Sequence, residues 1–562
     1  MKSFLKRNYL LVLIVLLAII LRFSELSTIP IGFNDDEAAF GYNAYSIIKT
    51  ARDEWGRFLP FPAFESFGDW KLVFYLYLVA ASQLVFGIGE FSTRFPSALF
   101  GVLTVIATYF LAKKLFEDFS WKFEIPTIAA LLLAISPWHI VASRNAFESD
   151  LLSFFITTGT LFFLMAQKNK KLLYVSTILF SICFYIYRSS WLFVPMFILV
   201  IFYLFRNNFV KAKGIITKNL ILAAIVALPL LPVVLTFKGQ SRFLQESFLT
   251  GVSRVGITNE VNERRGICQT DLPKPVCYLV YNKYLFFASI YIENYFKNLS
   301  YETFFDYSSP TGFQSFAKRG VLYLFELPIL VAGIIFLLKS KSPAAKILIP
   351  WVLLAPVGAA LTGIGNFGRI NLIMPAPQII AAFGAISLVY LIKNIRVRMA
   401  TAALAILIIS YLLTKLIVDL FYIEPYYTSR YQRYGYRQLF DYLATKDDYN
   451  QFVISRKIDN SHQYIQYLFS QKIDPKFLQE NAKRIREKDG WVVFQKLGKF
   501  TFVPSVPGIE SLPDNSLLVV GEKEVSYPIG PISTINYVNG DPAFLVYDVN
   551  EVKRKILEEE DK

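Results

Sequence analysis

Three consecutive acidic residues, Asp35, Asp36 and Glu37, precede an amphipathic stretch at residues 38–48. A carboxylate close to a membrane surface could act as a general base and remove the proton from an acceptor hydroxyl. Neighbouring carboxylates could hold a divalent cation against a phosphate. The same residues also suit a helix N-terminus, where Asn34 or Asp35 would cap the first turn and acids would favour the helix dipole. At this point both interpretations stay open.

A second acidic segment follows later in the chain, where Glu148 and Asp150 stand two residues apart before an apolar run. An acid at the beginning of a membrane span is costly unless it is solvated or paired. Together with Asp36, these two acids are candidate ligands for a divalent cation. The alternative is a helix start in which Arg144 pairs with Glu148. His139 is expected to be an interfacial polar residue rather than a ligand.

Several cations could contact a lipid phosphate, because guanidinium and ammonium groups donate hydrogen bonds to phosphate oxygens. The candidates for this role are Lys71, Arg94, Arg144, Arg188 and Arg369. Lys71 precedes and Arg94 follows an apolar run at 72–88. The alternative for each single cation is extension towards the lipid headgroups.

The elements that must position these residues are membrane helices. The chain has 562 residues, of which 54% are hydrophobic and only 18% charged, whereas a soluble domain carries about 25% charged residues. The apolar runs end near residue 422, which predicts a membrane domain at 1–422 and a soluble domain at 423–562. A span needs roughly 20 mainly apolar residues. Eleven spans are predicted, at 9–23, 95–112, 125–142, 151–167, 172–187, 190–205, 215–237, 321–338, 346–364, 370–392 and 400–422.

The distribution of basic residues orients these spans. Lys and Arg are retained on the cytoplasmic side, and this explains the net charge of +15 without nucleic-acid binding. All basic loops fall inside only if the run at 72–88 stays on the outer face, as a re-entrant or interfacial helix within the first outer loop, 24–94. The N-terminus is then cytoplasmic. The long loop at 238–320 and the C-terminal domain lie outside a plasma membrane that the chain crosses many times.

The C-terminal residues mix helical and strand patterns. A helix is predicted at 437–445, and short strands are predicted at 451–455, 491–495 and 517–521. These patterns indicate a small α/β or α+β domain. Cys268 and Cys277 lie nine residues apart in the long loop. If that loop is outside, they could form a disulfide, although two free thiols would fit the sequence nearly as well.

These residues together resemble the GT-C glycosyltransferases, in the branch of the dolichyl-phosphate-mannose-protein mannosyltransferases and aminoarabinose transferases. Coverage is about residues 23–392. Four stretches carry the resemblance, in chain order: the acidic motif at 35–37, GDWKL at 68–72 beside the family's Lys-Pro-Pro-Leu, FSTRFPSAL at 91–99 beside its Arg-x-Pro-Ser-Ala-Leu, and SRNAFESD at 143–150. Trp70 and Leu72 depart from the Lys-Pro-Pro pattern, and the C-terminal domain has no counterpart in the resemblance.

The resemblance implies a GT-C fold and transfer of a sugar from a polyprenyl-phosphate donor to a protein, lipid or glycan acceptor at the outer membrane face. Asp36 would be the general base, and inversion at the anomeric carbon would follow. Lys71 or Arg94 would meet the charge of the leaving phosphate. A divalent metal, Mg²⁺ or Mn²⁺ in preference to Zn²⁺, is an optional cofactor.

Two other functions compete with transfer. A transporter or flippase of a lipid-linked substrate would place ionisable residues mid-membrane and often shows internal repeats. The sequence has its polar groups at one face and no evident repeat, which favours the enzyme. A membrane-anchored binding protein would instead use the C-terminal domain.

Overall fold

The computed structural model describes residues 9–119, 124–236, 247, 251–305, 320–340, 342–363, 367–458, 462–487 and 490–560. The chain divides into two compact units. The first, here called the membrane unit, comprises Met1–Ser24, Ser97–Pro310 and Gln314–Thr414. The second, here called the domain unit, comprises Glu25–Pro96, Thr311–Phe313 and Lys415–Lys562. The first loop therefore belongs to the same compact unit as the C-terminal residues.

All the regular secondary structure among the described residues of the membrane unit is helical. Its helices, some of which continue across a unit boundary, are Tyr9–Phe23, Glu90–Leu115, Glu124–Ala134, Pro137–Arg144, Leu151–Ala166, Leu172–Ile182, Ser190–Leu204, Lys213–Ala227, Leu231–Leu235, Gly251–Cys268, Lys274–Val280, Lys283–Lys297, Tyr301–Phe305, Glu326–Ser340, Pro343–Leu354, Pro356–Ala359, Phe367–Ile370, Ala376–Leu391 and Ile395–Val418. Among the described residues, five helical segments are long and apolar enough to cross a membrane. A sixth is the pair Glu124–Ala134 and Pro137–Arg144, bent by 56°.

The chain is a multi-pass membrane protein, and helices occupy all or part of each predicted span. Several of them are shorter than a full crossing; Leu172–Tyr185 and Ser190–Leu204, for example, have 10–17 residues. The number of crossings and the cytoplasmic N-terminus therefore stay predictions. The apolar run at 72–88 forms the helix Val73–Phe86. Within the long loop at 238–320, the structure describes residue 247, residues 251–305 and residue 320. The described range 251–305 contains further helices.

Cys268 and Cys277 form a disulfide in this loop, between the helices Gly251–Cys268 and Lys274–Val280. Their Cα atoms lie 5.7 Å apart, within the usual range for a disulfide. Of the two arrangements that the sequence allowed, the structure contains the bonded one. Cys183 is buried and is a free cysteine.

The domain unit combines the first loop with a seven-stranded mixed sheet. Residues Ala63–Ser66 (β1) and Asp69–Leu72 (β2) form an antiparallel hairpin in the first loop. The sheet has the order β4-β5-β6-β3-β7-β9-β8. Its strands are Gln451–Ser455 (β3), Lys483–Arg486 (β4), Val492–Leu497 (β5), Phe500–Val503 (β6), Ser516–Val520 (β7), Ser533–Asn536 (β8) and Pro542–Asp548 (β9). The helices of this unit are Asp35–Thr50, Val73–Phe86, Glu424–Thr428, Tyr436–Ala444, Gln463–Ser470, Pro475–Asn481 and Val549–Glu560.

The C-terminal part is thus an α/β domain, with β3 parallel to both β6 and β7. The three predicted strands correspond to β3, β5 and β7, and the predicted helix at 437–445 corresponds to Tyr436–Ala444. The apolar run of β7 is fully buried, which is typical of a central strand covered on both faces.

One hydrophobic core joins the first loop to this domain. Phe33, Ala38, Ala39 and Tyr42 belong to the same buried cluster as the sheet residues. The ring of Phe33 stacks on Phe469 with centroids 4.5 Å apart. The helix Asp35–Thr50, here called the first-loop helix, therefore lies against the helix Gln463–Ser470, here called the domain helix. The first loop is a packed part of the domain unit, and its acids have fixed neighbours.

Gly41 shows how close this contact is. A Cβ atom at Gly41 would lie 2.4 Å from Cε2 of Phe469, far inside van der Waals contact. A glycine in the middle of a helix lowers helix stability by about 1 kcal/mol relative to alanine. Here the absent side chain allows the first-loop helix and the domain helix to approach each other.

Candidate functional site

The first-loop helix begins with a capping box. The Glu37 N–H donates to Asn34 Oδ1 at 3.0 Å, and the Asn34 N–H donates to Glu37 Oε2 at 3.2 Å. These two bonds satisfy backbone donors that a helix start would otherwise leave without partners. The capping interpretation is therefore confirmed for Asn34, and Glu37 is its reciprocal partner. Asp35 and Asp36 take no part in this box and face other partners.

Each of the three consecutive acids pairs with a different cation. Arg433 Nε lies 3.3 Å from Asp35 Oδ2. Lys71 Nζ lies 2.5 Å from Asp36 Oδ1. Arg94 Nε lies 2.8 Å from Glu37 Oε1. Lys71 comes from the hairpin, Arg94 from the start of the helix Glu90–Leu115, and Arg433 from the C-terminal residues, so three separate chain segments converge on the acidic motif.

Glu37 and Arg94 form a fully buried pair, with both side chains 0% exposed. Arg94 Nη2 also contacts Glu37, at 2.9 Å, which gives the bidentate geometry that arginine and carboxylate favour. The remaining Arg94 donors bond the carbonyl oxygens of Leu26, Pro30 and Gly32. Arg94 therefore ties the beginning of the first loop to the first-loop helix. This geometry favours a structural role for the pair, since a phosphate could reach Arg94 only if these bonds opened.

Lys71 lies between two carboxylates. Its Nζ is 2.5 Å from Asp36 Oδ1 and 2.9 Å from Asp69 Oδ2. Asp69 and Lys71 are two apart on β2, and alternate residues of a strand point to the same face. The lysine side chain is 1% exposed and Asp69 is also 1% exposed, whereas Asp36 is 24% exposed. Asp36 is consequently the acid of the motif that solvent, or a substrate, reaches most easily.

Asp35 is held by the C-terminal residues. Besides Arg433, its carboxylate accepts hydrogen bonds from Gln466 Nε2 at 2.9 Å and from the backbone N–H of His462 at 3.3 Å. Burial opposes the charged form of this carboxyl, yet Arg433, His462 and Gln466 together lower the pKa of Asp35 below its ordinary value. Asp35 is therefore a stable carboxylate and a poor proton acceptor at neutral pH.

Arg433, His462 and Gln466 are not among the site residues predicted from the sequence. His462 is one of only two histidines in the chain, and this rarity is the one signal that could have drawn attention to it. Arg433 and Gln466 carry no comparable signal in one sequence. Their relation to Asp35 spans about 400 residues of chain and exists only in the folded domain unit.

A second acidic group lies deeper in the domain unit. Glu54 is fully buried, and burial raises its pKa to about 7. The Tyr464 hydroxyl donates to the Glu54 carboxylate at 3.4 Å, and the Arg484 guanidinium donates to the backbone carbonyl of Glu54. Nearby, Glu65 on β1 accepts from Arg57 at 2.7 Å and from Arg486. These contacts attach the first loop to the sheet.

The other predicted site residues belong to the membrane unit. Arg144 donates to the carbonyl oxygens of Leu21 and Ser24, at 2.9 and 2.7 Å. Asp150 is fully buried and accepts a hydrogen bond from Asn371 Nδ2 at 3.2 Å. Glu148 is buried beside it in the same short helical turn.

Arg188 and Arg369 are both half-buried, and Arg369 donates to the Thr362 carbonyl at 3.3 Å. His139 was expected to be an interfacial polar residue rather than a ligand, and its place relative to a membrane interface stays a prediction. Its side chain is fully buried, and its Nδ1 lies 2.7 Å from Arg22 Nη2. A buried polar group needs a hydrogen-bond partner, and Arg22 on the helix Tyr9–Phe23 supplies it.

Among the residues that the structure describes, no cluster of three or more His, Cys, Asp or Glu side chains has the arrangement of a metal site. The Lys71 ammonium lies between the carboxylates of Asp36 and Asp69. A divalent cation bound there would be repelled by this positive charge. The residues around Asp36 in the domain unit therefore do not fit a divalent metal as they are arranged.

Comparison with known proteins gives a family match for part of the chain. Residues 72–235 match the family described as dolichyl-phosphate-mannose-protein mannosyltransferase. The resemblance found in the sequence is confirmed over these residues. No curated protein sequence matches the chain.

Three solved structures are similar to the chain at low sequence identity. ArnT from Cupriavidus metallidurans, bound to undecaprenyl phosphate, is 12% identical, with a TM-score of 0.49 over 95% of this chain and 97% of that one. The Archaeoglobus fulgidus oligosaccharyltransferase AglB, in complex with an inhibitory peptide and a dolichol phosphate, is 14% identical, with a TM-score of 0.47 over 83% and 64%. The same archaeal enzyme with zinc and sulfate is 15% identical, with a TM-score of 0.46 over 82% and 61%. The chain spans less than two thirds of the length of these archaeal chains.

Proposed function

We propose that this protein is a membrane glycosyltransferase that moves a sugar from a polyprenyl-phosphate donor to a hydroxyl or amine of an acceptor. The family match over residues 72–235 supports a sugar-transfer reaction with a lipid-linked donor. The site would lie at the outer membrane face, on the same side as the C-terminal domain.

One observation carries the assignment of the reacting group. Of the three consecutive acids, Glu37 is 0%, Asp35 is 13% and Asp36 is 24% exposed. Glu37 is used in the capping box and in the pair with Arg94, and Asp35 is occupied by Arg433, Gln466 and the His462 N–H. Asp36 is the acid that a substrate can approach, and we assign the general base to it.

The proposed reaction is a direct displacement at the anomeric carbon of the donor sugar. Asp36 takes the proton of the acceptor hydroxyl while the acceptor oxygen forms a bond to the anomeric carbon. The bond between that carbon and the phosphate oxygen breaks, and the electron pair leaves with the polyprenyl phosphate. The transition state has oxocarbenium character, as in other glycosyl chemistry. Attack from the face opposite the phosphate inverts the anomeric configuration.

Lys71 assists this step by holding the Asp36 carboxylate in place. Its ammonium fixes the orientation of Asp36 at 2.5 Å, and Asp69 on the other side prevents it from turning away. A base held in one orientation is more effective than a mobile one, because the reacting atoms must meet within hydrogen-bond reach. A direct contact of Lys71 with the donor phosphate, as the resemblance implies, stays part of the proposal. The same holds for Arg144, Arg188 and Arg369.

An archaeal oligosaccharyltransferase with a similar structure was solved with zinc and sulfate, and an optional divalent cofactor is part of our proposal for the present protein. In our proposal, any such ion would use Glu148 and Asp150, which lie in the same short helical turn of the membrane unit. No step of the mechanism above runs through a metal. The chemistry that a cation would add is neutralisation of charge on the leaving phosphate.

The test of the function is Asp36→Asn in the full-length protein. Transfer of labelled sugar from a polyprenyl-phospho-sugar should fall by about 10²–10⁴-fold, the usual contribution of a general base. Asp514→Asn, an equivalent change at a residue 81% exposed, is the matched control and should retain full activity. Wild-type transfer by Asp36→Asn would remove Asp36 from the mechanism. Uptake of a lipid-linked substrate by reconstituted protein without any transfer would favour the transporter instead.

A further inference from the structure

His462 lies beside the acidic motif, at the start of the domain helix. Its backbone N–H donates to Asp35 Oδ2 at 3.3 Å. Its imidazole stacks on the ring of Phe67, with centroids 4.2 Å apart and planes 5° from parallel. Trp491 flanks the imidazole at a centroid distance of 5.1 Å. These ring contacts fix the imidazole between two aromatic side chains, and they do not use its nitrogen atoms for hydrogen bonding.

The same Phe67 ring connects the imidazole to the reacting acid. Lys71 Nζ lies 5.2 Å from the centroid of Phe67, and this ammonium contacts Asp36. The charges of Asp35, Asp36, Arg433 and Lys71 all act on the imidazole, and they partly cancel. Burial dominates and lowers the pKa of His462. The ring is therefore a neutral imidazole, which offers one hydrogen-bond donor and one acceptor.

Neither ring nitrogen of His462 makes a hydrogen bond to another residue within the described part of the chain; the contacts of this residue are its backbone N–H bond, the ring stacking and the charges named above. The His462 side chain is half-buried, so a bound molecule can reach the ring. A donor and an acceptor held on a rigid ring, next to the one accessible acid, are suited to a hydroxyl, which itself can both donate and accept.

We propose that His462 is an acceptor-binding residue, whose imidazole hydrogen-bonds the acceptor beside Asp36 and orients the attacking hydroxyl. This inference rests on the proposed function and assigns its acceptor site to the C-terminal domain. The acceptor class is a hydroxyl-bearing compound. The C-terminal domain thereby contributes to the reaction directly, through a residue more than 420 positions away from Asp36 in the sequence.

The competing explanation is that the imidazole only fills space between Phe67 and Trp491. His462→Phe separates the two roles, because phenylalanine keeps a flat ring for stacking and the backbone N–H to Asp35, but has no ring nitrogens. His462→Gln is the reciprocal variant, since its amide can replace a ring nitrogen as a hydrogen-bonding group. Ser470→Ala, at the other end of the domain helix, is the control for a change in this helix.

The experiment uses full-length protein in membranes that contain its natural acceptors, supplied with a labelled undecaprenyl-phospho-sugar. Sugar transferred to acceptors and sugar released by water are measured separately, together with binding of undecaprenyl phosphate and the thermal unfolding midpoint. For His462→Phe we expect transfer to fall at least tenfold, with hydrolysis, lipid binding and unfolding midpoint unchanged. His462→Gln should recover part of the transfer.

Wild-type transfer by His462→Phe would overturn the inference. A loss of transfer, hydrolysis and lipid binding in parallel, with a lowered unfolding midpoint in both variants, would also overturn it, because it would indicate a purely structural ring. The proposed function fails on a different result, which is the absence of any sugar transfer by the wild-type protein, whereas wild-type transfer by Asp36→Asn would remove only Asp36 from the mechanism. The two proposals can therefore fail separately.

Discussion

The ammonium of Lys71 lies 2.5 Å from the carboxylate of Asp36, and the lysine side chain is 1% exposed while the aspartate is 24% exposed. In this ion pair the lysine is therefore buried and the aspartate is accessible. Lys71 also contacts the buried Asp69, so that one cation serves two acids. This arrangement presents a single oriented carboxylate to the surroundings, and it makes the stability of the site depend on the balance of three charges.

The first prediction concerns this balance. Lys71→Met leaves Asp69 buried without its cation, and removal of one partner of a buried ion pair costs about 3–5 kcal/mol of unfolding free energy. The double variant Asp69→Asn with Lys71→Met removes both charges and should recover most of the stability. Sugar transfer should stay at least tenfold below wild type in both variants, because Asp36 has lost its fixed orientation. Chemical denaturation and transfer assays measure the two effects, and full activity of the double variant would contradict the role of Lys71.

The second prediction separates the structural from the phosphate-binding role of Arg94. Lysine cannot reproduce the bidentate contact to Glu37 and the bonds to three carbonyl groups, so Arg94→Lys should lower the unfolding free energy by about 2–4 kcal/mol. The folded fraction should bind undecaprenyl phosphate as the wild type does. Arg554→Lys, at a side chain 65% exposed, is the control. Normal stability combined with weakened lipid binding would restore the phosphate role that the sequence suggested.

The third prediction is a pH dependence of stability. Burial raises the pKa of Glu54 from 4.5 to about 7, so the folded state holds this proton more tightly than the unfolded state. The stabilisation is therefore complete below pH 4.5 and is lost as the pH rises towards 7, with a total of roughly 3 kcal/mol. Asp53, whose pKa burial also raises, acts in the same direction, and Asp35, whose pKa is lowered, acts in the opposite one.

Glu54→Gln isolates this contribution, since glutamine is uncharged at every pH. We expect the unfolding midpoint of the variant, relative to wild type, to rise between pH 5 and pH 8. Thermal unfolding of both proteins in the same detergent across this range is the measurement. Parallel pH profiles for the two proteins would show that Glu54 is ionised in the folded state.

The fourth prediction concerns the disulfide between Cys268 and Cys277. In intact cells both residues should resist thiol-specific labelling until a reductant is added, whereas the buried Cys183 should react only after denaturation. Disulfides persist on the oxidising side of a membrane, so the result also tests the outer location of the long loop. Labelling of Cys268 without reductant, detected by mass spectrometry, would show that its thiol is free and would contradict the disulfide.

The sequence by itself determined the membrane character, the positions of the main apolar helices and the acidic motif. Long apolar runs have no other stable environment than lipid or a protein core, and alternating basic loops restrict the orientation. The strands at 451–455 and 517–521 were predictable because short apolar runs with β-branched residues favour strands. The capping role of Asn34 was also readable, since it depends on neighbours within four residues.

Only the tertiary structure decided which cation each acid meets. Lys71, Arg94 and Arg433 are separated from the motif by about 34 to 400 residues, and a single sequence contains no information on contacts across such distances. From the sequence, Asp35, Asp36 and Glu37 were predicted to form one acidic cluster, and the C-terminal residues were predicted to form a separate soluble domain. Packing of the first-loop helix against the domain helix gives the three acids different exposures and different partners, and leaves Asp36 as the accessible one, because each buried charge requires its own counter-charge.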